Sequence, residues 1–217
     1  MYRSILVTCL VFFVTYLTNA QSLKFHSGPK LGINQSLMSY KEVFFERKIE
    51  RIQGFVGGVF SELLIGRHFG IQPEVLYSQT GLNVVDNGQV ISTLDSRFQR
   101  FTYISIPLEL KYTVRGFGIY IGPQINFLMN AKDETPGSYT IRWTRDIKRN
   151  FRHKDFSGII GIEYILPFGL GFNLRYQKGF TNIVIPDGTV ERSETQELHN
   201  DLLQFNIQYG FGKRRLK

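Results

Sequence analysis

The chain has 217 residues, one cysteine and a formal charge of +8, from 26 Lys/Arg against 18 Asp/Glu. This length suits one medium domain or one barrel, and the lone Cys9 excludes a small extracellular scaffold stapled by disulfides. Beyond the first twenty residues no run of eighteen apolar residues occurs, so no helix spans a bilayer and only a closed barrel could.

In chain order, Arg3 supplies a positive start, Ile5–Leu17 an apolar run, and Ala20 a small residue before Gln21. That order predicts a cleaved secretory signal peptide over 1–20. Cys9 sits too close to the start to be a lipidation site. The remaining domain, 21–217, carries twenty-five bases against eighteen acids, because Arg3 is the only charge in the leader. In an exported protein, an excess of seven positive charges suits membrane phosphates better than nucleic acid.

Alternation with period two predicts eight strands: 30–37, 54–63, 69–80, 102–112, 117–129, 156–166, 170–180 and 202–211. Most are close to the ~9–11 residues of a tilted membrane-spanning strand. The stretch Tyr40–Gln53 is charged and reads as a loop. Connections alternate strictly. Those at 64–68, 113–116 and 167–169 are tight, whereas 38–53, 81–101, 130–155 and 181–201 are long. In an up-and-down meander all short turns fall at one end and all long loops at the other, as in outer-membrane barrels.

Volume decides which face points outward. Ile104, Ile106, Leu108 and Leu110 on one strand, with Ile119, Ile121, Ile125 and Phe127 on the next, would overfill the interior of eight strands. The opposite rows hold Gly32, Gly118, Gly122, Gly161 and Gly171 with Asn126, Asn173, Gln204, Asn206 and Gln208, which fit a cramped polar lumen. Phe69, Tyr112, Phe117, Tyr164, Tyr209 and Phe211 cluster at the short-turn end, and Tyr77, Phe127 and Phe180 near the other. Such rings form aromatic girdles at the two interfaces.

The inward rows also carry Lys30, Glu74, Glu109, Lys111, Glu163 and Arg175. Three acids and three bases in one narrow space should pair, forming a structural network that fills the lumen. The same residues could line a small ion or solute channel, although eight strands leave little bore. Lys178 has outward parity near a rim, and the faces of the strand holding Glu62 are ambiguous. Pro73, Pro107 and Pro123 fall within strands, where local bulges are expected to accommodate them.

Chemistry is sparsely encoded. His26 precedes the first predicted strand, His68 lies in a short turn, and His153 and His199 lie in long loops. A loop-built lipid-modifying site from His153 or His199 with Ser193 and Glu191 is the enzymatic alternative. No metal-ligand spacing and no nucleotide-binding fingerprint occur, so neither metal nor cofactor is expected. The loop 130–155 is the most distinctive exposed feature, with Trp143, Arg145, Lys148, Arg149, Arg152 and Lys154. It suits either contact with lipopolysaccharide phosphates or an acidic partner, or plain solvation. The tail Lys213–Lys217 is expected in the periplasm.

Five segments, QPEVLYSQTG (72–81), YISIPLELKY (103–112), IYIGPQINFLM (119–129), DFSGIIGIEY (155–164) and RYQKGFTNI (175–183), together resemble the PorT-like family of small outer-membrane β-barrel proteins. The resemblance covers most of the chain after the leader. It implies an all-β, eight-stranded antiparallel up-and-down transmembrane β-barrel of OmpA size in a Gram-negative outer membrane. It carries no catalytic residues, and this chain departs from the family pattern in its long basic third loop. The expectation is a non-enzymatic barrel with a structural or accessory envelope role, including support of protein secretion. Its expected partners are outer-membrane lipid, lipopolysaccharide and envelope or secretion-system proteins. A soluble ligand-binding barrel is the most distant alternative.

Overall fold

A computed structural model describes residues 24–38, 40–41, 48–85, 96–136, 142–185 and 197–211. The signal peptide, Glu191, Ser193 and the basic tail lie outside the described residues. Eight long strands form the wall: β1 (Lys24–Ser36), β2 (Gln53–Ile65), β3 (Phe69–Val85), β4 (Ser96–Val114), β5 (Phe117–Pro136), β6 (Lys154–Ile165), β7 (Leu170–Gly179) and β8 (Leu202–Tyr209). Each pairs antiparallel with the next. β8 returns to β1, with Leu31 opposite Ile207 and Lys30 opposite Gln208. The barrel is closed, so its wall has no free edge, the condition for strands to cross lipid.

The burial pattern is inside out. Leu31, Ile33, Ile119, Ile121, Ile160 and Phe205 are exposed, while Lys30, Asn34, Glu74, Asn126, Arg175 and Asn206 are buried. β2, ambiguous by parity, turns Val56, Phe60 and Glu62 inward and Phe55 and Val59 outward. Phe69 and Tyr112 meet edge to face at 5.2 Å, and Tyr209 and Phe211 do so at 5.3 Å, at the short-turn end.

The turns there follow from residue chemistry. Val114 pairs with Phe117 across Arg115–Gly116, whose φ values are 49° and 87°. Two consecutive left-handed residues make the tight turn whose twist matches a hairpin. Gly66 (φ 70°) and Gly169 (φ 97°) serve the other two turns.

Three expectations need correction. First, β3, β4 and β5 run well past their predicted outer ends. β3 and β4 stay paired up to Val85 opposite Ser96, and β5 continues to Pro136, where it pairs with a short strand, Arg142–Asp146. Second, Tyr40–Gln53 is not simply a loop. Tyr40–Lys41 pairs with Glu197–Leu198, and Lys48–Arg51 pairs with the top of β3, satisfying backbone groups that the elongated strands expose.

Third, the prolines make no bulges. Around Pro73 and Pro107 the ladders lapse for two residue pairs and resume in unchanged register, while Pro123 stays opposite Gly158 in an unbroken β5–β6 ladder. Losing an N–H removes a ladder bond without requiring an extra residue. The register shift in the wall lies elsewhere: Tyr103 faces Leu128 and Thr102 faces Asn130, leaving Met129 as the extra residue.

Candidate functional site

The lumen is filled in layers, which we describe from the short-turn end outward. In the lowest layer the Lys111 Nζ lies 2.6 Å from Glu163 Oε2, 3.5 Å from Glu62 Oε1 and 3.7 Å from Glu109 Oε2. It also donates to Gln72 Oε1 at 2.8 Å. In the next layer Arg175 contacts Glu74 Oε2 at 2.8 Å and pairs with Glu109, while Lys30 pairs with Glu74 and lies 3.5 Å from Glu109. Side chains of all these ionic groups are fully buried. The Tyr120 ring stands between two of the cations, 5.6 Å from Arg175 Cζ and 5.9 Å from Lys111 Nζ. Gly161 makes room for it: a Cβ there would sit 2.3 Å from the Tyr120 hydroxyl.

All six charged residues singled out in the sequence therefore meet in one cluster. Glu62 joins them as a fourth carboxylate, and the Nδ1 of His26, a residue inside β1 rather than before it, is 4.0 Å from Glu62 Oε2. Glu62 escaped the sequence because GFVGGVFSELL is apolar on both parities. A charge two residues from an inward Phe60 was the available signal.

Above the ions lies a hydrogen-bonded layer of amides and hydroxyls around a single carboxylate, Asp155. Gln124 Nε2 donates to Gln177 Oε1 at 2.7 Å and to Asn126 Oδ1 at 2.6 Å, and Ser105 donates to Asn126 Oδ1 at 2.7 Å. Asn126 and Asn200 both donate to Asp155 Oδ2, at 3.0 and 3.1 Å. On the wall, Asn34 Nδ2 donates to Ser78 Oγ at 2.9 Å.

The outer mouth is closed by an apolar lid that the sequence did not announce. Met38, Leu82, Phe101, Tyr103, Leu128 and Ala131 form its floor and sides, and Ile147, Phe151, Ile183 and Leu198 cover it from the connections. Phe101 meets Phe151 edge to face at 4.8 Å. The backbone ties the cover down: Arg152 N–H donates to Ile183 C=O at 2.8 Å, Ile185 N–H to Asn150 C=O at 2.9 Å, and Ile147 N–H to Ala131 C=O at 3.0 Å. Ile147 and Phe151 are the two apolar residues of the basic run 145–154, four apart. That spacing was the overlooked signal of a buried face.

The basic residues face away from the lid. Arg145, Arg149, Arg152 and Lys154 are exposed, and Lys148, half-buried, opens a one-turn 3-10 helix at Lys148–Asn150. Lys154 Nζ lies 5.9 Å from the Phe127 ring at the rim. Trp143 belongs to the strand Arg142–Asp146, and its side chain lies outside the described residues. Lys178 is exposed as its parity predicts and pairs with Asp201 at 2.6 Å.

No catalytic constellation assembles among the described residues. His68 Nδ1 is 3.1 Å from Thr113 C=O and its ring packs on Tyr112, while His153 is exposed beyond the rim. Among the described residues no group of His, Cys, Asp or Glu could hold a metal ion.

A closed antiparallel barrel with an apolar exterior, aromatic rims and a polar filling defines an integral membrane β-barrel protein. The sequence matches the model of a known family over residues 19–184, and the chain belongs to that family, the outer membrane protein beta-barrel domain. Its place is the outer membrane. No curated protein matches the sequence. Among solved structures it is similar to Ail, the attachment invasion locus protein of Yersinia pestis, at 12% identity and a TM-score of 0.47, covering 87% of this chain and 99% of that one. Neisserial surface protein A is similar at 9% identity and a TM-score of 0.48, covering 88% and 100%. OprG from Pseudomonas aeruginosa is similar at 14% identity and a TM-score of 0.44, covering 86% and 93%.

Proposed function

We propose that this protein is a non-enzymatic, non-conducting barrel that acts through its outer surface, in an accessory envelope role. The observation that carries this is the filled lumen: an ion-paired layer, a hydrogen-bonded layer and an apolar lid lie in series across the bore. With the lumen filled among the described residues, the exposed chemistry of that end is the basic cover of the lid, where Arg145, Arg149, Arg152 and Lys154 are exposed. Clustered guanidinium and ammonium groups match phosphate oxygens or acidic side chains. Lipopolysaccharide phosphates and acidic envelope proteins are therefore its partners, and the resemblance to PorT-like proteins supports a place beside a secretion system.

Two measurements test this. Planar-bilayer recording of the refolded protein should show no discrete conductance steps, and regular steps would restore the channel. Capture of native envelope partners should be lost in the variant Arg145→Gln/Arg149→Gln/Arg152→Gln/Lys154→Gln. Unchanged capture would remove the lid surface from the proposal.

A further inference from the structure

Exposed charge is uneven around the outer mouth. Between Ile147 and Ile185 the only acids are Asp155 and Glu163, and both are buried in the lumen. Over the same stretch Arg149, Arg152, Lys154 and Lys178 are exposed. Lys178 is neutralised by Asp201 at 2.6 Å. Among the described residues no acid pairs with Arg149, Arg152 or Lys154. The cations of β4 and β5 differ, because Arg100 lies 3.8 Å from Glu134 and Lys132 stands opposite Asp146 in the ladder.

Two of these three cations belong to the lipid-facing side of the wall. β6 exposes Ile162, Ile160 and Phe156 to hydrocarbon, and Lys154 is the next residue of the same outward row. Two residues of a strand tilted by about 45° rise about 5 Å, so Lys154 stands just above Phe156, and its Nζ lies 5.9 Å from the Phe127 ring. Arg152 follows and is still tied to the wall, since its N–H donates to Ile183 C=O at 2.8 Å. Below the two cations is an aromatic shelf. Phe180 N–H donates to Phe156 C=O at 2.9 Å, which sets the two exposed rings on neighbouring strands. The Phe180 ring lies across Gly158, where a Cβ would come within 2.9 Å of it. Cations directly above an aromatic belt lie at the depth of lipid phosphates.

We infer that this flank of the mouth, on β6 and β7, is a binding site for the phosphates of an outer-leaflet lipid, the lipid A part of lipopolysaccharide. Arg152 and Lys154 hold the phosphate through charge-assisted hydrogen bonds, and Phe156 and Phe180 receive the acyl chains. A phosphate-bearing lipid touches both parts of the site at once, whereas an acidic protein would meet only the cations. The inference rests on the reading of the lid's basic cover as a contact surface, and it narrows the ligand of one flank of that surface.

The test uses the folded protein extracted from outer membranes, stripped of lipid in mild detergent and titrated with diphosphoryl lipid A in native mass spectrometry. The heat-shifted gel band reports that each variant is folded. Each cation at a lipid phosphate is worth about fivefold. Wild type should therefore bind lipid A about 25-fold more tightly than the same lipid after phosphatase treatment, and Arg152→Gln/Lys154→Gln should abolish that preference. Arg145→Gln/Arg149→Gln should keep it. Phe156→Ala/Phe180→Ala should weaken both lipids alike, because it removes only acyl contacts. Inorganic phosphate in large excess should not displace lipid A, and displacement would assign the site to free phosphate instead. The flank is overturned if wild type binds both lipids equally. It is also overturned if the preference is lost in Arg145→Gln/Arg149→Gln and kept in Arg152→Gln/Lys154→Gln, a result that leaves the contact surface standing and only this flank wrong. Preference kept by both pairs overturns the flank too, and the contact surface then stands or falls on partner capture alone.

Discussion

Glu74 illustrates how a single buried charge is held. It receives Arg175, Lys30 and the Gln72 amide, the last at 2.6 Å, so both of its oxygens are engaged. Glu74→Gln keeps the shape and removes the charge, leaving two buried cations short of a partner. Breaking a buried pair in this way costs about 3–5 kcal/mol, so the folded band on unboiled gels should be lost at lower denaturant than for wild type. An unchanged midpoint would mean that the cluster does not stabilise the barrel. Adding Lys30→Gln should recover part of the loss, because it removes one of the unpartnered cations, and non-additivity in the double-mutant cycle measures the coupling. Gly161 is constrained sterically instead: Gly161→Val would meet both the Tyr120 hydroxyl and the Leu174 C=O, the latter 2.5 Å from a Cβ. We expect that variant to fail to reach the folded band at all, and normal folding would disprove the packing of Tyr120.

At the level of elements, the bulge at Met129 and the lid belong together. The extra residue is absorbed so that Ala131, opposite Phe101, faces the lid while Lys132 faces out. Deleting Met129 should therefore be tolerated, because Thr102–Asn130 and Phe101–Ala131 are already paired as they would be in a regular ladder. Deleting Ile125 should not be, since a one-residue slip turns every following side chain to the other face. Trypsin protection of the lid separates the two. The lid also predicts its own weak point. Phe151→Ala removes the ring that covers Phe101, and large-to-small changes in packed sites cost about 3–5 kcal/mol. Trypsin should then cut at Arg149 and Arg152 while the wall remains folded. Resistance equal to wild type would show that Phe151 is not what holds the cover.

For the whole molecule, closure is the property with the widest consequences. A wall with no edge resists unfolding as a unit, so boiled and unboiled samples should run differently on gels, and the protein should fractionate with the outer membrane. Soluble periplasmic protein would contradict the membrane reading of the apolar exterior. Much of this was legible beforehand. The short and long connections alternated, and period-two rows separated Ile104, Ile106 and Leu108 from Glu109 and Lys111, because a membrane barrel places one row in hydrocarbon and the other in a polar core. The strand β2 was legible but its faces were not, because its glycines and Phe60 blur the contrast between them. The outer strand extensions were also missed, because the alternation that marks a strand disappears there: Gly81, Leu82 and Asn83 are all buried on β3, and Lys132, Asp133 and Glu134 follow one another on β5.

Local chemistry alone thus determined the architecture: eight rows of alternating residues, three tight turns and six inward charges follow from what each strand can expose to lipid. Tertiary structure decided which charges touch, that Glu62 completes the cluster, and that Ile147 and Phe151 seal the mouth. Alternation records only which face a side chain takes. Contacts across a lumen depend on the stagger of strands around a closed circle and on connections folding back over it, and no single strand carries that information.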